Sequence, residues 1–545
     1  MADNVAAEES GSENYALWSR SFSIRLVGRN KLGFVDEKLG SYLECLLAGG
    51  REEERKHYIF QMKKNYRHFS LVFLFVLLLI FATAFSIISV DARKHHTKKS
   101  KIHHKHRKQQ RNGGGNKAPN CSNSPSPAPT PTPTPSHGFY PTQSPIFDIL
   151  SFGAKGDGVT DDTKALEAAW EAACKVQGAT LEIPSEFQFL INPITLQGPC
   201  MPNFVFQVDG IVLAPPKVGS WPKSSLFQWL NFKWMHNFTI QGTGTLDGQG
   251  YNWWKLSQID YFQVMKKSKS IPDMKPTVLR FYGSYNVTVR DIKIKNSPQC
   301  HLKFDNSKRI KVNNITISAP ESSPNTDGIH LQNTQDVEIN HSNIGTGDDC
   351  ISIQTGCSNI HVHHMNCGPG HGISLGGLGK DKSVACVSDI IVENVNLQST
   401  MYGARIKTWQ GGLGSVKNIS FSNIQVSDVK VPIMIDQYYC DKRMCKNQTG
   451  AVAISNVKFN QIIGTYSAKP IHLACSNSIP CTDVDLIDIQ LKPSTNYRGI
   501  NQLGLCWNSY GKSQAPLLPS SMDYCVRRGS GFVRGISRSH EHVCL

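Results

Sequence analysis

From Asn286 onward the chain repeats one short pattern of apolar and polar positions. It recurs in NVTVRDIKIKN at Asn286, RIKVNNITIS at Arg309, DVEINHSNI at Asp336, NIHVHHMNC at Asn359, DIIVENVNL at Asp389, NISFSNIQV at Asn418 and AVAISNVKF at Ala451. Alternation of this kind marks a strand with one buried face. Each segment reads as two short strands around an Asn or Asp corner. Their first residues are 23, 27, 23, 30, 29 and 33 apart. A period in this range predicts stacked coils, an all-β parallel β-helix. The rival, a Greek-key sandwich, requires hairpin Asn-Gly or Asp-Gly turns between strands, and those are scarce. A solenoid also suits 545 residues, which exceed a single compact core, because it grows along its axis without thickening.

Ahead of the repeats, the segment FDILSFGAKGDGVTDDTKALEAAWEAAC predicts a strand, a Gly-rich turn and a helix. Asp161 or Thr160 would cap that helix, and Ala165, Ala169, Trp170 and Ala173 would share one face. This opens a globular domain over residues 140–545. Residues 93–139 form a linker: a basic run, three glycines at 113–115 and the PSPAPTPTPTP stretch at 125–135 cannot build a core. Phe69 to Val90 is a 22-residue apolar run behind Lys63, Lys64 and Arg67. Its length suits a signal peptide or a membrane anchor. A signal peptide over residues 62–92 is favoured, because the strongly basic downstream flank conflicts with translocation of an anchored domain. The alternative is a type II anchor, with membrane association only if the segment stays uncleaved.

The net charge of +16 suggests a polyanionic partner, but much of the excess is local: Arg93 to Arg111 holds nine Lys/Arg, five His and no acid. Fifteen of the 16 cysteines lie from Cys121 onward, and none is spaced C-x-x-C as a zinc site would favour. Seven N-x-S/T sequons begin at Asn120, Asn237, Asn286, Asn314, Asn340, Asn418 and Asn447. Together these features point to a secretory, disulfide-permissive route out of the cell. The fifteen cysteines from Cys121 onward are an odd number, which leaves at least one unpaired thiol among them.

Four short motifs fall in consecutive coils: Asn325-Thr326-Asp327, Gly347-Asp348-Asp349-Cys350, Gly370-His371-Gly372 and Arg405-Ile406-Lys407. Asp327 and Asp348 are 21 residues apart, Asp349 and His371 are 22 apart, each about one coil. One coil later is the same face, about 4.8 Å along the axis. Three carboxylates and an imidazole would then share a patch, with Arg405 and Lys407 pointing to it from one side of their strand. Crowded carboxylates cannot all ionise, so one retains a proton. A protonated acid beside an ionised partner suits glycosidic cleavage, and flanking cations suit a sugar that is itself a carboxylate. Asp157, Asp161 and Asp162 look similar, but turn formation and capping explain them. A calcium site is the sharpest alternative for the three aspartates, disfavoured by His371 and the cations.

In order and spacing, these four motifs resemble those of the polygalacturonases, glycoside hydrolase family 28, and FGAKGDGVTDDT resembles their plant-type opening. The resemblance covers roughly Phe147 to Cys525. It implies a right-handed β-helix, an extracellular cell-wall location and inverting hydrolysis of α-1,4-galacturonosidic bonds in pectin, without cofactor or metal. Asp348 would be the general acid, Asp327 and Asp349 would position and activate water, and His371 would support the acid. Arg405, Lys407 and Tyr439 of IDQYYC would bind galacturonate, Tyr438 being the adjacent competitor. The resemblance also implies disulfides Cys350–Cys367, Cys174–Cys200 and Cys475–Cys481. An acidic polysaccharide is the expected partner of a monomer, with no nucleic acid. A calcium-dependent pectate lyase and a non-catalytic wall-binding protein remain the rival functions. Asn14 to Leu39 resembles the amino-terminal gag segment of Copia-type retrotransposons, so residues 1–61 are read as an extension fused to a protein that starts at Met62.

Overall fold

The computed structural model describes residues 144–221, 228–262, 275–441, 445, 447–495, 503–520, 522 and 542–544. The gag-like segment, the apolar run and the linker lie outside them. Among the described residues no helix is long and apolar enough to cross a membrane.

Every strand pairing along the stack is parallel. Two sheets result: one of 20 strands and one of 11. The larger receives two segments per coil, such as Tyr285–Arg290 and Lys293–Lys295. In later coils these fuse into single long strands, Val384–Gln398 and Leu413–Val429. Each is still broken by a residue with positive φ, Asn394 and Asn423. This is the parallel β-helix that the period predicts.

Register gives the core its order. Val287, Ile310, Val337, Ile360, Ile390, Ile419, Val457 and Val484 pair in succession along the axis, and all are buried. Burying each such side chain contributes about 1.5–3 kcal/mol. Phenylalanines stack likewise: Phe232 on Phe281 at 5.2 Å and Phe281 on Phe304 at 5.1 Å.

The helix Thr163–Ala173 closes the amino-terminal end, burying Ala165, Leu166, Ala169, Trp170 and Ala173. Trp170 lies 4.9 Å from Phe204 and 5.6 Å from Phe232. Its N-cap is Asp162, not the expected Asp161 or Thr160. The Asp162 carboxylate turns back to accept from the amides of Lys155 and Gly156 in the Gly-rich turn, while Asp161 accepts from the amide of Thr163. Asp157 accepts from the amides of Thr160 and Val159, which hold its carboxyl down at about 2. Turn-making thus explains all three aspartates.

The expected disulfides Cys174–Cys200, Cys350–Cys367 and Cys475–Cys481 are present, joined by Cys386–Cys544 and Cys440–Cys445. Cys357 is a buried free thiol, pushed by burial up to about 12.

The corners change the meaning of several sequons. Asn237, Asn286, Asn314 and Asn418 all have positive φ, a conformation Asn tolerates. Asn286 donates to Asn237 at 2.7 Å, Asn418 to Asp389 at 2.8 Å, and Asn456 to Asn418 at 2.8 Å. In Asn286-Val287-Thr288 and Asn418-Ile419-Ser420 the middle residue enters the core and the hydroxyl residue faces out. A corner Asn followed by an alternating strand generates N-x-S/T by itself. These four sequons therefore carry less weight for the secretory route than the disulfides do.

Candidate active site

The site lies on the outward face of the 11-stranded sheet, where four consecutive strands begin: Ile329–Gln332, Ile351–Ile353, Ile373–Leu378 and Tyr402–Trp409. Ile329, Ile351, Ile373 and Ala404 are in register, so the residues just ahead of each strand stack as well. All the sequence-predicted residues Asp327, Asp348, Asp349, His371, Arg405 and Lys407 meet there. Gly372 makes the approach possible: its φ is +79°, and a Cβ would collide with the Tyr402 carbonyl oxygen. Cys350–Cys367 ties the coil of Asp349 to the return leading toward His371.

Asp349 is the anchor, its side chain only 2% exposed. Its Oδ1 accepts from an Arg405 terminal nitrogen at 2.7 Å and from Ser374 Oγ at 2.7 Å, and its Oδ2 accepts from Lys407 Nζ at 3.1 Å. Burial works against the Lys407 charge, as does neighbouring Arg405, but Asp349, Tyr439 and Asp348 together raise its pKa. Arg405 is likewise raised, burial being overcome by Asp349, Tyr402, Tyr439 and Asp348 together. The guanidinium lies 4.1 Å from the Tyr402 ring centre, a cation–π contact.

Asp348 Oδ1 lies 3.0 Å from His371 Nδ1 and accepts from the Asp349 amide at 2.8 Å. Burial opposes ionisation of Asp348, but His371, Lys407 and Arg405 prevail and hold its carboxyl far below the usual range. Asp327 goes the other way: burial raises it, and so do the charges of Asp348 and Asp349. In the unliganded site Asp327 is thus the readier of the two carboxyls to hold a proton. The reason is local: Asp348 faces cations, and Asp327 faces carboxylates.

Several participants escaped the sequence reading. Ser352 Oγ donates to Asp327 Oδ2 at 2.6 Å and lies 2.8 Å from His330 Nδ1. Ser374 Oγ receives Arg405 Nε at 2.8 Å while donating to Asp349. Buried His301 is held neutral, its pKa depressed by burial to about 4. Its Nε2 accepts from the Ser297 amide, so Nδ1 carries the hydrogen and donates to the Asp327 carbonyl at 2.9 Å. A signal was available. His330, Ser352 and Ser374 each follow Asp327, Asp349 or His371 by three residues, and they are in register with Arg405. Tyr439 packs against Lys407, whose Nζ is 5.2 Å from the ring centre, while Tyr438 donates to the Cys475 carbonyl at 3.2 Å. The two adjacent tyrosines are thereby distinguished.

Ligand atoms of Asp348, Asp349 and His371 converge within 4.8 Å, close enough to consider a metal. Both Asp349 oxygens already serve Arg405, Lys407 and Ser374, however, and two fixed cations repel a third. The donor set fits a proton-transfer site better than a calcium site.

Buried acid, imidazole and cation side chains on the flank of a parallel β-helix are the equipment of a glycoside hydrolase. Residues 174–506 match the family Glycosyl hydrolases family 28. The chain is 44% identical over 346 residues to a polygalacturonase of Persea americana, covering 63% of this chain and 73% of that one. It is 40% identical over 350 residues to polygalacturonase-2 of Solanum lycopersicum, covering 64% and 75%. The fold is similar to that of a hyperthermoactive exopolygalacturonase from Thermotoga maritima, with a TM-score of 0.56 at 21% identity over 67% of this chain and 90% of that one. A polygalacturonase from Erwinia carotovora gives a TM-score of 0.55 at 23% identity, covering 68% and 97%. The chain belongs to glycosyl hydrolases family 28. Residues 7–40 separately match the gag polypeptide of LTR copia-type elements.

Proposed function

We propose that this enzyme hydrolyses α-1,4-galacturonosidic bonds of polygalacturonate by single displacement with inversion. The observation that carries this reading is Asp349 clamped between Arg405, Lys407 and Ser374 beside the Asp348–His371 pair. A neutral glycan needs no such cations, whereas a galacturonate carboxylate is matched by the guanidinium and ammonium.

Asp348 is the general acid, and His371 stabilises the proton that the pair holds. Binding a substrate carboxylate beside Arg405 and Lys407 cancels part of the field that depresses Asp348. Its proton affinity then rises when a leaving oxygen is in place. Asp348 gives its proton to the leaving oxygen, and Asp327 and Asp349, as carboxylates, orient the water on the opposite face of the sugar, Asp327 taking up the proton that the water loses. Tyr439 lies with Lys407 on the binding side. A lyase would need an arginine free to act as base, and Arg405 is locked onto Asp349 and Ser374.

The route is secretory, supported by five disulfides in the described residues. The catalytic domain spans 140–545, and residues 1–61 are a fused gag-like extension ahead of a start at Met62. Sequencing the transcript from its 5′ end tests this; one continuous message encoding 1–61 would refute it.

The activity test follows reducing ends and ultraviolet absorbance together, on polygalacturonic acid near pH 5 with chelator. Reducing ends without absorbance are expected, and Asp348→Asn should lower kcat by about 10²–10⁴-fold. Calcium-dependent, absorbing products would make it a lyase. No action on any galacturonan by folded protein would sink the reading.

A further inference from the structure

The outward face of the 20-stranded sheet carries a cluster that the hydrolytic site does not use. Four histidines gather on two adjacent coils: His341, His361, His363 and His364. Ring centres are 4.4 Å apart for His361 and His363, 5.1 Å for His363 and His364, 5.0 Å for His341 and His364, and 6.1 Å for His341 and His363. Register creates the gathering. His361 and His363 project outward from one strand, with Glu338 beside His361 on the preceding coil and Glu393 beside His363 on the next. His341 and His364 sit at successive corners, both with positive φ, where neighbouring coils stack asparagines instead.

The nitrogen geometry is specific. His363 Nδ1 and His364 Nδ1 lie 2.8 Å apart. Two nitrogens at that separation, each about 2.0 Å from a shared ion, subtend roughly 90° at it. That is the cis angle of tetragonal Cu(II) and Ni(II) sites. Behind the pair, His363 Nε2 faces Glu338 Oε1 at 3.5 Å, and His361 Nε2 meets Glu393 Oε1 at 2.9 Å. A carboxylate on the far ring nitrogen fixes the tautomer and makes the near nitrogen a better ligand. A single N–H to N hydrogen bond between two neutral imidazoles explains the 2.8 Å spacing. It does not explain four imidazoles and two carboxylates converging on an otherwise asparagine-built edge.

We infer that His363 and His364 form a two-imidazole surface site for a borderline divalent transition ion, Cu(II) in preference to Ni(II) or Zn(II). Glu338 orients His363 in it. The site is on a different sheet from the hydrolytic residues, so metal occupancy and catalysis are separable.

The test is a Cu(II) titration of the full secreted chain by calorimetry and electron paramagnetic resonance. His95, His96, His103, His104 and His106 are first changed to alanine, to remove the basic run as a competitor. One ion per chain with nitrogen hyperfine structure is expected. His363→Ala/His364→Ala should weaken binding tenfold or more, and Glu338→Gln about tenfold. Hydrolysis of polygalacturonate by these variants should be unchanged, which also certifies their fold. Equal affinity in the double variant, or no saturable binding in the parent, overturns the site.

Discussion

The corner asparagines and the clustered carboxylates are built on the same repeat and behave oppositely. Along the corner, Asn418 donates to Asp389 and accepts from Asn456. An amide is self-complementary, so stacking one per coil satisfies both of its polar atoms. Along the outward face of the smaller sheet, Asp327, Asp349 and His371 stack at the same interval, and carboxylates one coil apart repel. That ladder exists only because later coils supply Ser374, Arg405 and Lys407, and because Ser352 serves Asp327. The lesson is that a repeat tolerates any residue that can pair with its own copy, whereas a functional patch needs partners of a different kind.

The largest expected break in this comparison is Arg405→Ala. It leaves buried Asp349 with Lys407 and Ser374 alone, and losing one partner of a buried pair costs about 3–5 kcal/mol. Chemical denaturation measures this; a loss below about 1 kcal/mol would mean that Lys407 suffices. Arg405→Lys should recover part of the stability, but not the affinity for substrate, because the planar fork is lost.

Asp327→Asn separates function from stability. Asp327 is raised in the folded state by burial and by the carboxylates beside it. A raised acid contributes stability that is complete below its unfolded pKa of 3.8 and is lost as pH rises through the folded value. The uncharged variant should therefore melt higher than wild type at pH 7, with the gain vanishing below about pH 4. Its kcat should fall by about 10²-fold or more. A lower melting temperature at pH 7 would show that the ionised carboxylate is well satisfied.

Ser352→Ala removes the hydroxyl that donates to Asp327. A hydrogen bond to a charged group contributes about 1.5–3 kcal/mol, so kcat should fall by roughly tenfold. The donor favours the ionised form, so without it the acidic limb of the kcat/KM profile should move to higher pH. A fall in kcat with an unmoved profile would reduce Ser352 to packing.

The smallest effect belongs to the self-complementary ladder. Asn418→Ala loses the amide bonds and places a Cβ-bearing residue without local hydrogen bonding at φ +58°, costing about 1–2 kcal/mol. Asn418→Gly should recover most of that in denaturant titrations. If glycine is no better than alanine, the amide bonds dominate the backbone conformation.

The legible part of the molecule is the part governed by one-dimensional spacing. The repeats at Asn286 through Ala451 could be read because a coil must return to the same register, so alternation and period together imply the stack. The motifs of Asp327, Asp349 and His371 could be read for the same reason, each lying about one coil beyond the last. Ser352, Ser374 and His330 were overlooked because serine on a strand face is ordinary; only the shared offset of three marks them, and that offset gains meaning once the strands are aligned. The sequons have a second origin: at Asn286 and Asn418 the triplet restates the corner and the strand that follows.

Sequence by itself determined the solenoid, the stacking interval and the residue types that face outward at each coil, since these follow from periodicity and the chirality of a two-faced strand. Only the tertiary structure decided which charge sits on which group. Asp327 and Asp348 are chemically identical, and their proton affinities diverge through surroundings that the fold assembles: burial, Asp348 and Asp349 raise the first, while His371, Lys407 and Arg405 lower the second. Electrostatic energy depends on distance and burial, and neither is a property of position along the chain.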